Sequence, residues 1–94
     1  MGNRVTVNLE ISVTAVYFEN SNGLKSYPRR IEYDGREYTF MRGLRYLIRK
    51  GQEIVQIFDM TDGQADFRLC YDAKKQRWTL VDIAEQSSAS VAYC

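Results

Sequence analysis

The 94-residue chain has no histidine, two cysteines, one proline and no glycine-rich loop, and its net charge is only +1. Without histidine there is no Ser-His-Asp or Cys-His nucleophile system, no His-containing zinc site, and none of the commonest general base. Two isolated cysteines, Cys70 and Cys94, cannot build a four-cysteine metal site. No apolar signal-peptide core precedes them, so they read as reduced thiols of a cytoplasmic protein, with Cys70 a small buried hydrophobe in FRLCYD. Neither GxxxxGK nor GxGxxG occurs, which removes the phosphate-cradling loops of nucleotide-binding enzymes. No stretch approaches the roughly 20 apolar residues of a membrane span, so no membrane partner is expected. The start, MGNRVT, formally matches an N-myristoylation pattern, yet it runs straight into a strand pattern.

Carboxylates remain available. DMTDGQAD sets Asp59, Asp62 and Asp66 around a turn, but the spacing is not that of a calcium loop and no bidentate glutamate closes it. The Asp-Gly pair is needed for the turn itself. A glycosidase-type carboxylate pair would require a concave cleft, for which so short a chain has little material. The expectation is therefore a protein that is not an enzyme and that carries neither metal nor cofactor.

What is present is strand pattern. A chain of this length forms one domain and buries about 65% of its unfolded surface, and 45% hydrophobic with 27% charged residues is an ordinary globular composition. Along RVTVNLEISVTAVYF, Val5, Val7, Leu9, Ile11, Val13 and Ala15 alternate with polar residues, which predicts one long strand over residues 4–18. Such a length exceeds the usual strand, so a bend is expected near Ser12 to Ala15, with the strand serving two edges of a barrel. ENSNG ends it. Pro28 marks a strand start or edge, because proline donates no ladder hydrogen bond.

RRIEYDGREYTF carries the strongest local signal. Asp-Gly between two alternating runs predicts a two-residue hairpin turn, with Tyr33 across from Arg36, Ile31 from Tyr38 and Arg29 from Phe40. Residues 41–50 are ambiguous. Met41, Leu44, Leu47 and Ile48 have helical spacing, whereas Leu44, Tyr46 and Ile48 alternate and Gly43 weakens a helix, so a strand is favoured and a short helix stays open. Beyond them come a strand at 53–60, a turn, a strand containing Phe67, Leu69 and Tyr71, a second turn, and a last strand in which Val81 and Ile83 are shifted by one from Trp78 and Leu80, as across a bulge. The expected fold is mainly β: a small antiparallel barrel or strongly twisted meander of about six strands over residues 1–84, with 85–94 a flexible tail.

Charge is uneven despite the balanced total. Residues 25–50 carry eight cations against three acids, and residues 51–94 carry four against seven. Arg29, Arg30, Arg36, Arg42, Arg45 and Arg49 are the candidate contacts to phosphates or to a protein partner, with a nearby exposed tyrosine able to stack on a base. The competing explanation has the charges solvating strand faces and the tyrosines packing in or around the core.

The layout in GLKSYPRRIEYDGREYTF, with Gly23, Pro28, Ile31, Tyr33, Gly35, Arg36 and Tyr38 followed by Trp78 in the last strand, resembles that of small uncharacterised bacterial β-domains. It is similar to a domain of unknown function that accompanies some Y-family DNA polymerases in actinobacteria. The resemblance implies an interaction module working with nucleic acid or a nucleic-acid-handling protein, and it supplies no catalytic residues. The alternative expectation is a homodimer or larger assembly in which the first strand pairs with a second copy.

Overall fold

The computed structural model describes residues 4–20 and 24–85, all of them in strands or the turns between them. The expected tail therefore lies outside the described residues except for Glu85, which ends the last strand opposite Ala65. The strands are β1 (Arg4–Asn20), β2 (Leu24–Tyr33), β3 (Arg36–Thr39), β4 (Arg42–Lys50), β5 (Glu53–Thr61), β6 (Ala65–Asp72) and β7 (Arg77–Glu85). Seven strands form among the described residues where about six were expected, and residues 42–50 take the strand that their pattern favoured over a short helix. Gly43 and alternating Leu44, Tyr46 and Ile48 favour the extended chain, and β4 pairs in unbroken register with β5 from Arg42↔Thr61 to Lys50↔Glu53.

The strand order is β3-β2-β1-β7-β6-β5-β4, with every pairing antiparallel. Chain neighbours lie side by side, and the first strand pairs with the last, as in an up-and-down barrel. Among the described residues the sheet does not close: it ends at β3 on one side and β4 on the other, strands that only Phe40 and Met41 separate along the chain. The fold is thus the strongly twisted meander and not a closed barrel. β3 has only four residues, all of them paired with β2.

β1 supplies the bend. Its first half pairs with β7 as far as Ile11↔Trp78, and its second half pairs with β2 from Ser12↔Glu32 onward. Register shifts at Val13, Ala15 and Val16 mark the corner, and another between Thr6 and Leu9 surrounds Asn8, whose φ is +53°. Each extra residue increases local twist, so one strand joins two leaves of sheet.

Between the leaves sits the core: Tyr27, Ile31 and Phe40 from one side, Phe58, Met60, Phe67, Leu69 and Leu80 from the other. Aromatic rings cross the gap. Tyr27 meets Phe58 edge-on at 6.0 Å, and Phe67 lies 5.1 Å from Tyr38 and 5.2 Å from Phe40. Tyr33 and Tyr38 are half-buried against this core, as core or rim packing requires. In the hairpin, Asp34 and Gly35 both have positive φ and the register is Tyr33↔Arg36 and Ile31↔Tyr38, with the Phe40 amide donating to the Arg29 carbonyl at 2.7 Å. The bulge in β7 falls at Val81, since Leu69 pairs with Leu80 while Arg68 pairs with Asp82. No helix among the described residues is long and apolar enough to cross a membrane.

Candidate functional site

The sheet ends at β3 on one side and at β4 on the other, and the six candidate arginines divide between the two ends. Arg29, Arg30 and Arg36 stand on β2 and β3, whereas Arg42, Arg45 and Arg49 stand on β4. The two ends differ in charge. On β2, β3 and the turn between them, Glu32, Asp34 and Glu37 offset three of the four cations Lys25, Arg29, Arg30 and Arg36. β4 carries Arg42, Arg45, Arg49 and Lys50 with no acidic residue.

The first group is also partly engaged. The Arg29 guanidinium lies over the Tyr17 ring at 5.5 Å, a cation–π contact, and Arg30 Nε donates to Thr39 Oγ1 at 3.4 Å. Arg36 is exposed beside the hairpin turn, opposite Tyr33. On β4, Arg45 Nε donates to Gln56 Oε1 at 3.1 Å, and Arg42, Arg49 and Lys50 are exposed. Within β4 alternate side chains point to opposite faces, so Arg42 and Lys50 share one face with Leu44, Tyr46 and Ile48, and Arg45 and Arg49 share the other with Leu47.

β4 is apolar as well as basic. Leu44 is 69%, Leu47 56% and Ile48 39% exposed. Among the described strands its backbone has one neighbour, β5, so alternate residues direct N–H and C=O groups away from the sheet. Close approach to β5 depends on Gly43. A Cβ there would lie within 2.6 Å of the Asp59 carbonyl oxygen and closer still to the Met60 sulfur.

A second group of charges had no expectation attached to it. Across the outer sheet face run Tyr46 of β4, Asp59 of β5, Arg68 of β6, Asp82 of β7 and Arg4 of β1. The Tyr46 hydroxyl donates to Asp59 Oδ2 at 2.7 Å, and Arg68 donates twice to the same carboxylate, at 2.8 and 3.1 Å. Asp82 is buried and paired with Arg4. Burial alone would raise the Asp59 carboxyl, but the hydrogen bonds from Arg68 and Tyr46 outweigh it and hold the group below the usual carboxylate range. The Arg68 guanidinium is driven upward, first by its bond to Asp59. Burial, then the bond to Asp59, raises the Tyr46 phenol. A carboxylate kept ionised in this way is a poor proton shuttle near neutral pH. The signal for this ladder was the register, because Asp59 lies directly opposite Arg68.

The acids of DMTDGQAD are used separately. Asp59 pairs with Arg68, while Asp62 Oδ1 accepts from the Gln64 and Ala65 amides, each at 2.8 Å, and so holds the β5–β6 turn. Among the described residues no three His, Cys, Asp or Glu side chains gather as metal ligands. An open depression of about 460 Å³ lies beside the ladder, lined in part by Arg4, Arg42, Leu44, Thr61 and Arg68. Cys70 is half-buried, and burial, the largest influence, raises its thiol. No protein-family model, curated protein or solved structure matches the chain.

Proposed function

We propose that this chain is a non-enzymatic interaction module that binds a polyanionic partner, nucleic acid or an acidic surface of a nucleic-acid-handling protein, through β4. One observation carries the reading: a nine-residue strand lies at an open sheet edge with four cations, no acids and exposed leucines. Edge strands are usually short, paired or covered. The layout that resembles a domain found beside Y-family DNA polymerases points to the same class of partner. Arg42, Arg45 and Arg49 are the contact residues on this reading, and Arg29, Arg30 and Arg36 are secondary because acids on their own strands offset them.

The test compares two triple variants, Arg42→Glu/Arg45→Glu/Arg49→Glu and Arg29→Glu/Arg30→Glu/Arg36→Glu, with the parent chain. Binding to mixed-sequence DNA, RNA and polyglutamate is measured at about 50 mM salt, where phosphate contacts are strongest. Reversal on β4 is expected to abolish binding while reversal on β2–β3 weakens it modestly. Absence of binding to every probe, or equal loss in both variants, would remove β4 as the site.

A second reading rests on β1. Between Ser12 and Asn20 it pairs with β2 alone, and its Val16 and Phe18 are exposed, which suits strand pairing with a second copy. Sedimentation equilibrium showing a monomer at every concentration would end that reading.

A further inference from the structure

We infer that the occupant of the β4 edge is an extended acidic peptide segment, added as an antiparallel strand along the side of β4 that faces away from β5. The inference rests on the reading of β4 as the binding edge and names the chemistry of its partner. Three properties of the edge select a strand. Its backbone groups on the open side are both donors and acceptors, and a peptide backbone supplies complementary partners to both, whereas a phosphate backbone accepts only. Every existing pair in this sheet is antiparallel, and that ladder is the slightly stronger of the two. Among the described strands β4 ends the sheet on this side, so an added strand would continue the ladder beyond it.

Charge selects among strands. On each face of β4 apolar positions lie between cations: Leu44 and Ile48 between Arg42 and Lys50 on one, Leu47 between Arg45 and Arg49 on the other. A second copy of β4 would set this row of cations against itself, and like charges directly opposite are destabilising. Residues 86–94 contain no acidic side chain to answer it. Nucleic acid would answer the charge but not the rest of the surface. The one aromatic residue on β4, Tyr46, is half-buried with its hydroxyl on Asp59, so the exposed positions are aliphatic or cationic and offer no aromatic stacking platform. The fitting segment has acids opposite the four cations and β-branched residues opposite the leucines and isoleucine.

The probe follows from the register: a peptide of sequence Glu-Glu-Val-Val-Thr-Glu-Val-Thr-Glu, running antiparallel from opposite Lys50 to opposite Arg42, with each glutamate facing one cation. Its lysine counterpart is the control and single-stranded oligothymidine the competing polyanion. Titration of the full chain is followed by fluorescence anisotropy and by amide hydrogen exchange. The glutamate peptide is expected to bind in the micromolar-to-millimolar range typical of weak encounters, about 1 mM or tighter, with slowed exchange at alternate amides of β4. The lysine peptide should not bind. Arg42→Glu/Arg49→Glu should weaken binding at least about tenfold, since each opposed charge pair across strands is worth a few tenths to 1 kcal/mol and reversal also adds repulsion. Far-UV circular dichroism checks that this variant is folded, and Arg42→Gln/Arg49→Gln provides a milder second variant with a smaller loss. If the peptide fails to bind, or binds without protecting β4 amides, strand addition is wrong. If oligothymidine then binds in a manner that the same substitutions abolish, β4 remains the binding edge and only the peptide occupant falls. If neither probe responds to substitutions on β4, both readings fall together.

Discussion

At the scale of single residues, Gly43 and Asp59 decide how β4 is held. Gly43 faces Met60 across the ladder so closely that a methyl group would strike backbone, which cannot swing aside as a side-chain tip can. Gly43→Ala is therefore expected to destabilise by about 1–3 kcal/mol, as overpacking does, with β4 amides exchanging faster than those of β6 and β7. Equal stability by urea denaturation would mean that β4 and β5 move apart without penalty. Asp59 links stability to pH. Its carboxyl is held below the ordinary 3.8 by Arg68 and Tyr46 against the opposing effect of burial, so its contribution is fully present above that ordinary value. The contribution is lost as pH falls through the lower native value. Asp59→Asn should cost about 1 kcal/mol at pH 7, and the melting temperatures of variant and parent should converge as pH drops toward 2. A gap that persists undiminished in acid would show that the loss is one of packing rather than charge.

At the scale of elements, local chemistry decided what could be read from sequence. Asp34-Gly35 specifies its turn through positive φ at both positions, and the hairpin register followed correctly from that alone. The bulge at Val81 was legible because the apolar alternation changes phase there, and the bend of β1 because seventeen residues are too many for one straight strand. The position of Asn8 was not. Val5 and Leu9, which continue the apolar alternation, are 59% and 53% exposed although they pair with Ile83 and Leu80, an exposure that alternation cannot announce. Residues 41–50 stayed ambiguous since the same leucines satisfy periods of two and of 3.6. Likewise the split of the arginines depends on strand order, and closeness in sequence says nothing about which strands end the sheet. Asn8 yields a test of the bulge: Asn8→Val places a β-branched residue at φ +53°, where L-residues pay about 1–2 kcal/mol. Asn8→Gly should be nearly neutral. Equal urea midpoints for the two variants would mean that β1 re-registers without penalty.

At the scale of the whole molecule, the described strands form one antiparallel sheet that ends at β3 and at β4, and the consequences differ at the two ends. β3 limits its exposure by length, having four residues. β4 has nine residues and exposed Leu44, Leu47 and Ile48, and so must be kept from pairing with other molecules by something else. Lysine and arginine on an edge strand do this by repulsion between copies. The same cations would thus both guard the edge and recruit an acidic partner, two roles that a single pair of substitutions can separate. Arg45→Ser/Arg49→Ser removes two of the four charges without adding apolar surface, and Arg45→Lys/Arg49→Lys keeps the charge while losing the guanidinium fork. If repulsion guards the edge, the serine variant associates at concentrations where the parent does not, while the lysine variant behaves as the parent does. Added salt should promote association of the parent, because screening weakens the repulsion that protects it. Sedimentation velocity across a salt series reads all three at once. A serine variant no more associated than the parent at any salt would mean that shape, and not charge, protects β4, leaving recruitment as the only role for its cations.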